Sequence, residues 1–404
     1  MNTTLRPLSS RLLAGGLLTI LSAPAAHAVG YRLPNQDPEG IARGNAFAAT
    51  ADNPSAIYYN PAGITQLEGA NFSVGVYAIS TDVNFHSPGG GSASTETAMQ
   101  YVPQIYYTYS PAESDFSFGL GVYAPYGLGI DYGRNTPFPT AAQDAELAYV
   151  TVNPVIAWEI APCFSIAAGI TLNRGDVRLE RRIGLVPKFD EFQVEGKGYA
   201  AGFNLGALWQ PAEKWSLGLN YRSPTEIDFE GRSITAPVPP FGGGTPTEAS
   251  LHFPQYIVGG ISFRPTEDWN FEFNLDWTDW DQVNDSVFVG TFGGNQVFPF
   301  RYKSSFMYEF GVTRQLGGGY FVSTGYIYSE NSVPDETFTP LNPDSDLHLG
   351  SVGFGYRGEK YGWAAGYHFA YNGGRTVTGN LNPTVNGEYE TFNQAVNMSV
   401  SYRF

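Results

Sequence analysis

The chain carries one cysteine, Cys163, in 404 residues. A lone thiol closes no internal disulfide and builds no cysteine-based metal site, which excludes a disulfide scaffold and zinc chemistry. Charge is scarce too: 15 % of the residues are charged, and 38 acids outnumber 22 bases. An acidic surface argues against nucleic acid as a partner. Past the first 28 residues the histidines are His86, His252, His348 and His368, and none stands in a recognisable catalytic motif. Walker A and zinc spacings are lacking, and the acidic run Asn342-Pro-Asp-Ser-Asp346 reads as a solvated loop, so neither enzyme activity nor a metal or other cofactor is expected. Long apolar runs are missing as well. Nothing beyond the N-terminus approaches the roughly 20 residues of a membrane helix, and the mean hydropathy is −0.20.

What is present is glycine and aromatic residues, 48 Gly, 28 Phe and 26 Tyr, arranged in alternation. The last residues, Asn393 to Phe404, put Val396, Met398, Val400, Tyr402 and Phe404 on one parity and Asn397, Ser399, Ser401 and Arg403 on the other. A strand this two-faced separates an apolar solvent from a polar one. The N-terminus supplies an address. Arg6 and Arg11 precede the apolar run Leu12 to Leu21, and Ala26-His27-Ala28 is an A-x-A cleavage site, so residues 1–28 read as a signal peptide. Its removal takes away two bases and no acid, moving the formal charge from −16 to −18. An exported chain of alternating strands points to the bacterial outer membrane, where closing the sheet satisfies every backbone group without water.

About fourteen strand-like segments follow, near 70–81, 99–110, 115–124, 147–160, 164–181, 197–210, 214–230, 250–264, 269–280, 303–315, 320–329, 347–357, 360–371 and 393–404. Trp269, Phe271, Phe273, Leu275 and Trp277 interleave with Glu272, Asn274 and Asp276, which aims two carboxylates at a lumen. His368 falls on the same polar face as a lining residue. Short turns such as Ser110-Pro-Ala-Glu-Ser114, Leu316-Gly-Gly-Gly319 and Arg357-Gly-Glu-Lys360 alternate with long segments at 82–98, 125–146, 182–196, 231–249, 281–302, 330–346 and 372–392. Periplasmic turns and extracellular loops show this rhythm. It places the C-terminus in the periplasm. Residues 29–69, ahead of the first strand, do not alternate; they are rich in Ala, Gly and Asn-Pro, with helix-compatible stretches around Glu39 to Ala51. Such a segment suits a hatch, or plug, folded in the lumen of a barrel spanning residues 70–404. The expectation is therefore an all-β transmembrane β-barrel of about 14 antiparallel strands with an N-terminal hatch.

The segment Asp52-Asn-Pro-Ser-Ala-Ile-Tyr-Tyr-Asn-Pro-Ala-Gly-Ile-Thr65 resembles the hatch signature of the FadL-type outer-membrane long-chain fatty acid transporters, which include the TodX-like importers of aromatic hydrocarbons. Asn60, Pro61 and Ala62 match its Asn-Pro-Ala core. Supporting pieces are Asn220-Tyr-Arg-Ser-Pro-Thr-Glu-Ile-Asp-Phe-Glu-Gly231, Asp276-Trp-Thr-Asp-Trp280 and the run Gly325 to Pro340. The likeness covers essentially all of the mature chain. It implies a monomer in contact with outer-membrane lipid and lipopolysaccharide that takes up hydrophobic small molecules passively, long-chain fatty acids first. Importing aromatic hydrocarbons, or acting as a general porin, are the alternatives. Capture by apolar loops, rearrangement of the hatch and lateral exit through a gap at a kink in the third strand are implied in turn.

Gly121, Pro125, Gly127 and Gly129 are the residues on which this kink is placed here, because Pro125 lacks the N–H of a central ladder and the glycines permit bends. Capture is expected from Ile183, Leu185, Val186, Phe189, Phe192, Val238 and Phe241 in the long loops, since exposed apolar clusters mark binding surfaces. Arg174, Arg178 and Arg181 are the candidate partners of a solute carboxylate.

Overall fold

A computed structural model describes residues 30–141, 143–183, 191–236, 244–290 and 294–404. The signal segment 1–28 lies outside them. Fourteen wall strands follow in order: β1 (Gly69–His86), β2 (Gln100–Ser110), β3 (Phe116–Tyr123, resuming as Gly127–Asp131), β4 (Asp144–Ala161), β5 (Phe164–Arg182), β6 (Glu191–Ala212) and β7 (Trp215–Arg222, resuming as Thr225–Ala236). The second half comprises β8 (Thr245–Phe253, resuming as Tyr256–Thr266), β9 (Trp269–Thr278), β10 (Ser305–Gly317), β11 (Tyr320–Ser329), β12 (Leu347–Arg357), β13 (Tyr361–Tyr371) and β14 (Gly387–Arg403). Each pairs antiparallel with its sequence neighbour, and β14 returns to β1 along a register running from Asn71↔Arg403 to His86↔Glu388. The sheet closes on itself, with one gap in the ladder between β2 and the second half of β3.

The alternation seen in the sequence is the wall itself. On β14, Val396, Met398 and Val400 are exposed, whereas Asn393 and Asn397 are buried. On β9, Phe271 and Leu275 face outward, and Glu272, Asn274 and Asp276 are buried inside. Outward Trp158, Trp209, Trp215, Trp269, Tyr320 and Tyr361 all stand within a few residues of the short turns. Aromatic rings gather at that level because it is the boundary between hydrocarbon and water. One of these turns needs glycine: Gly317, Gly318 and Gly319 all have positive φ, 84°, 62° and 85°.

Several strands run further on the long-loop side than their apolar faces suggest. β6 has 22 residues and β5 has 19, while about 9–11 suffice to cross hydrocarbon. Apolar alternation marks only the part of a strand that meets lipid; the backbone ladder continues into water. The expected loops 82–98, 182–196 and 231–249 are therefore partly strand.

Residues 30–67 fill the lumen and are almost wholly buried. They form α1 (Pro38–Ala42), α2 (Ala56–Tyr59) and a 3-10 turn, Pro61–Gln66. Asp37 caps α1, its Oδ1 accepting from the N–H groups of Glu39 and Gly40, and Pro38 opens the helix. Helix is shorter here than the expected stretch from Glu39 to Ala51. Gly44 and Asn45, at φ 60° and 57°, end it, and Gly44 lies flat against the backbone of β10 and β11, where a Cβ would sit 2.8 Å from Tyr326 N.

Candidate functional site

The lumenal segment is fastened to the wall by its own sequence signature. The Asn60 Oδ1 accepts from Ala62 N–H at 3.2 Å, and its Nδ2 donates to Ala48 O at 2.7 Å and to Ala207 O on β6 at 2.9 Å. Pro61 starts the 3-10 turn, and Ala62 is fully buried. The wall makes room with glycine: a Cβ on Gly206 would lie 2.5 Å from Asn60 Oδ1. Two buried ion pairs add to this. Arg32 Nη1 donates to Asp276 Oδ1 at 2.7 Å and to Thr278 Oγ1 at 2.6 Å, with its guanidinium 3.6 Å from the centre of the Tyr256 ring. Arg43 reaches Glu272 at 3.3 Å, and the same carboxylate accepts from Thr50 and from Ala49 N–H at 2.8 Å. At the short-turn end Arg357 forks onto Asp52, both bonds at 3.0 Å, and also meets Glu39. Burial would raise the Asp52 carboxyl, but the Arg357 guanidinium outweighs it and holds the group at about 2.

β3 is interrupted at Ala124, Pro125 and Tyr126. Before the break it pairs with β2 from Tyr109↔Phe118 to Ile105↔Val122; beyond it the second half pairs with β4 alone. On β2 the stretch from Gln100 to Gln104 therefore faces no β3 ladder; Gln100 Nε2 donates to Gly129 O at 3.0 Å across the opening, and Glu96 N–H, ahead of β2, to Asp131 O at 2.8 Å. The lumenal segment fills the vacancy. Leu33 N–H donates to Pro125 O at 2.8 Å, Gly127 N–H to Tyr31 O at 2.9 Å, and Gln36 Nε2 to Ala124 O at 2.6 Å. Tyr31 to Leu33 thus stand in for a missing piece of wall. A cleft of about 20 Å³ remains, lined by Leu33, Val102, Pro103, Tyr126 and Leu147. Gly121 faces inward, where a Cβ would come within 2.9 Å of Ile57, and Gly127 and Gly129 lie in the half of β3 beyond the break.

Of the expected capture residues, Ile183 is half-buried against a cluster that contains Phe192, Val194, Ala249 and Phe288, and Phe192 belongs to β6. Leu185, Val186, Phe189, Val238 and Phe241 lie outside the described residues. Arg174 pairs with Asp176 at 3.0 Å and Arg178 with Glu180 at 2.6 Å, both on the outward parity of β5. Arg181 has the inward parity; it donates to Gln296 Oε1 at 2.8 Å and lies over the rings of Phe192 and Phe298.

Residues 19–404 match the family described as outer membrane protein transport protein (OMPP1/FadL/TodX). The chain belongs to this family. A long-chain fatty acid transport protein of Escherichia coli K12 is 22 % identical over 386 residues, 83 % of this chain and 86 % of that one. A 47 kDa outer membrane protein of Pasteurella multocida is 26 % identical over 383 residues, 86 % of this chain and 87 % of the other. Among solved structures, a FadL homologue of Pseudomonas aeruginosa superposes with a TM-score of 0.82 at 18 % identity, covering 93 % of this chain and all of the other. The toluene transporter TodX of Pseudomonas putida gives 0.75 at 17 %, covering 94 % and 100 %. At these identities the superpositions speak for the fold. Members of the FadL/TodX family are outer-membrane transport channels for hydrophobic compounds and not enzymes.

One layer of this FadL/TodX barrel escaped sequence reasoning. Tyr31, Tyr126, Tyr149, Phe253 and Trp280 are all buried and meet edge to face or tilted, with ring centres 4.6–6.0 Å apart. Tyr126 leaves the break in β3 and donates its Oη to Pro254 O at 2.7 Å, where β8 is itself interrupted. Pro254 and Pro224, standing inside strand-like runs of adjacent segments, were the available signal.

Proposed function

We propose that the protein carries hydrophobic solutes, long-chain fatty acids first, passively across the outer membrane: capture by the long loops, displacement of the lumenal segment, and lateral exit through the break in β3. The single observation behind this is that the break is stopped by Tyr31 to Leu33 and by no strand of the wall. A greasy molecule gains nothing from a water-filled pore, whereas a side opening delivers it into lipid. In this reading residues 29–69 act as the hatch, Asn60, Pro61 and Ala62 anchor it to β6, and Gly121, Pro125, Gly127 and Gly129 shape the opening. Arg181 is the rim cation placed to meet a carboxylate at entry. Arg174 and Arg178, on the outer parity, suit the phosphates of lipopolysaccharide. The short turns and C-terminus face the periplasm, and the chain acts as a monomer.

A second reading draws on the aromatic layer. Five rings packed across the lumen offer edges and faces to another ring, which favours aromatic hydrocarbons as cargo. Uptake by importer-deficient cells of radiolabelled oleate, toluene and a small hydrophilic sugar separates these. Oleate above toluene supports the fatty acid reading, toluene alone the hydrocarbon reading, and sugar flux without hydrophobic selectivity would make the protein a porin and overturn both.

A further inference from the structure

Three arginines are buried in the lumen, and two of them are matched to acids: Arg32 to Asp276 and Arg43 to Glu272. The third, Arg222 on β7, is 4 % exposed and forms no ion pair with any described residue. Its Nε donates to Tyr256 Oη at 2.8 Å and its Nη2 to Tyr123 Oη at 2.7 Å, while the rings of Tyr58, Tyr123 and Tyr256 surround it at 5.3–5.8 Å. A guanidinium taken out of water and given only neutral acceptors is costly, because its charge is left without a counter-charge. The neighbours are also unusual. Tyr58 belongs to α2 of the lumenal segment, Tyr123 is the last residue of β3 before the break, and Tyr256 is the first after the interruption of β8. Tyr123 and Tyr256 thus stand at interruptions of the wall, and Tyr58 on the lumenal segment beside them.

We infer that Arg222 is the internal carboxylate-binding group of the transport path: an acyl-chain anion arriving at the break in β3 takes the guanidinium from Tyr123 and Tyr256, which leaves the Tyr123 hydroxyl only its bond to Asn153 Oδ1 at 2.7 Å and loosens the adjoining break. This rests on the reading that hydrophobic solutes leave there. The class of ligand follows from the chemistry. A planar fork engages a carboxylate through two parallel N–H bonds, and the aromatic walls suit the methylene chain behind it. The tyrosine hydroxyls hold the cation in reserve without neutralising it, so exchange for an anion gains a charge-assisted pair where hydroxyls offered none.

The test compares radiolabelled oleate with oleyl alcohol, which keeps the chain and removes the charge, in importer-deficient cells expressing the full-length protein. Heat-modifiable migration on gels verifies insertion. The wild type favours oleate, Arg222→Gln lowers the oleate-to-alcohol uptake ratio at least tenfold, and Arg222→Lys recovers part of it. An unchanged ratio in Arg222→Gln overturns the assignment, since a purely structural arginine would affect both solutes alike. Should Arg222→Gln not insert, the pair Tyr123→Phe with Tyr256→Phe decides. Stripping the competing hydroxyls raises the ratio, and an unchanged or lower one rejects the idea. A wild type that carries the alcohol without preferring oleate overturns the carboxylate site but leaves hydrophobic transport standing; a wild type that carries neither removes the transport reading, and the site with it.

Discussion

Asp276→Asn tests how the lumenal segment is held. Arg32 and Asp276 are each about 1 % exposed, and Thr278 and the Tyr256 ring are the guanidinium's other partners. The substitution removes a charge and almost no volume. Arg32 is then a buried cation without an anion, and breaking such a pair from one side costs about 3–5 kcal/mol. At about 1.4 kcal/mol per factor of ten, the undocked population rises by roughly two to nearly four orders of magnitude. Limited proteolysis reads this directly as local release around Arg32: the N-terminal segment of the variant is cut far faster there than that of the wild type. Replacing both partners, Arg32→Met with Asp276→Leu, leaves no orphaned charge and returns the barrel toward the closed state. If the N-terminal segment of Asp276→Asn resists protease as before, the ion pair does not hold it and the reasoning fails.

Gly218→Ala on β7 places a methyl 2.0 Å from Ala48 O, a clash with backbone that cannot rotate away; a lower melting temperature and sugar leakage are expected. Pro125→Val with Gly127→Val restores a ladder donor and stiffens β3, so a correctly inserted double variant should take up oleate at a reduced rate; undiminished uptake counts against the side exit. The Asp37 carboxyl is pushed up to about 7, first by burial and then by Glu39. A carboxyl raised in the folded state stabilises it below the unfolded value near 4 and loses that contribution as pH rises through about 7. Docking of the lumenal segment, read by protease protection, should therefore weaken between about pH 4 and 7, and Asp37→Asn should flatten the profile.

The barrel was legible because each strand records two solvents in its parity, a signal local to a dozen residues. Strand ends were not, since Asp82, Asn84 and Glu388 pair in the ladder beyond the lipid, where the outward face is polar and the apolar residues Val83, Phe85 and Tyr389 point inward. Pro125 was readable as a break because a central strand needs the N–H it lacks. Pro224 and Pro254 escaped because their strands break side by side and keep mutual register, Arg222↔Tyr256 on one side and Thr225↔Phe253 on the other. The fastenings of the lumenal segment were invisible for a different reason. Arg32 and Asp276 are 244 residues apart, and no periodicity links them.

Magnitudes decide how much of the lumenal segment a solute can move. A ligand shifts an equilibrium only by its differential affinity, and burying some sixteen methylenes of a fatty acid offers at most ~13 kcal/mol. Ejecting the whole segment would break two buried ion pairs, about 6–10 kcal/mol. It would also expose Ile41, Phe47, Ile57, Tyr58, Tyr59 and Ile64, now buried, at about 1.5–3 kcal/mol each. That total exceeds anything an acyl chain supplies. Releasing Tyr31 to Leu33 from the break costs two backbone bonds at ~1 kcal/mol each, the Arg32–Asp276 pair at about 3–5 kcal/mol, and the burial of Tyr31 and Leu33, about 3–6 kcal/mol. A long acyl chain just covers this, while the seven carbons of toluene, at ~0.8 kcal/mol each, fall short of it. The same arithmetic therefore separates the two candidate cargoes, and it confines the movement to the few residues that stop the gap in β3.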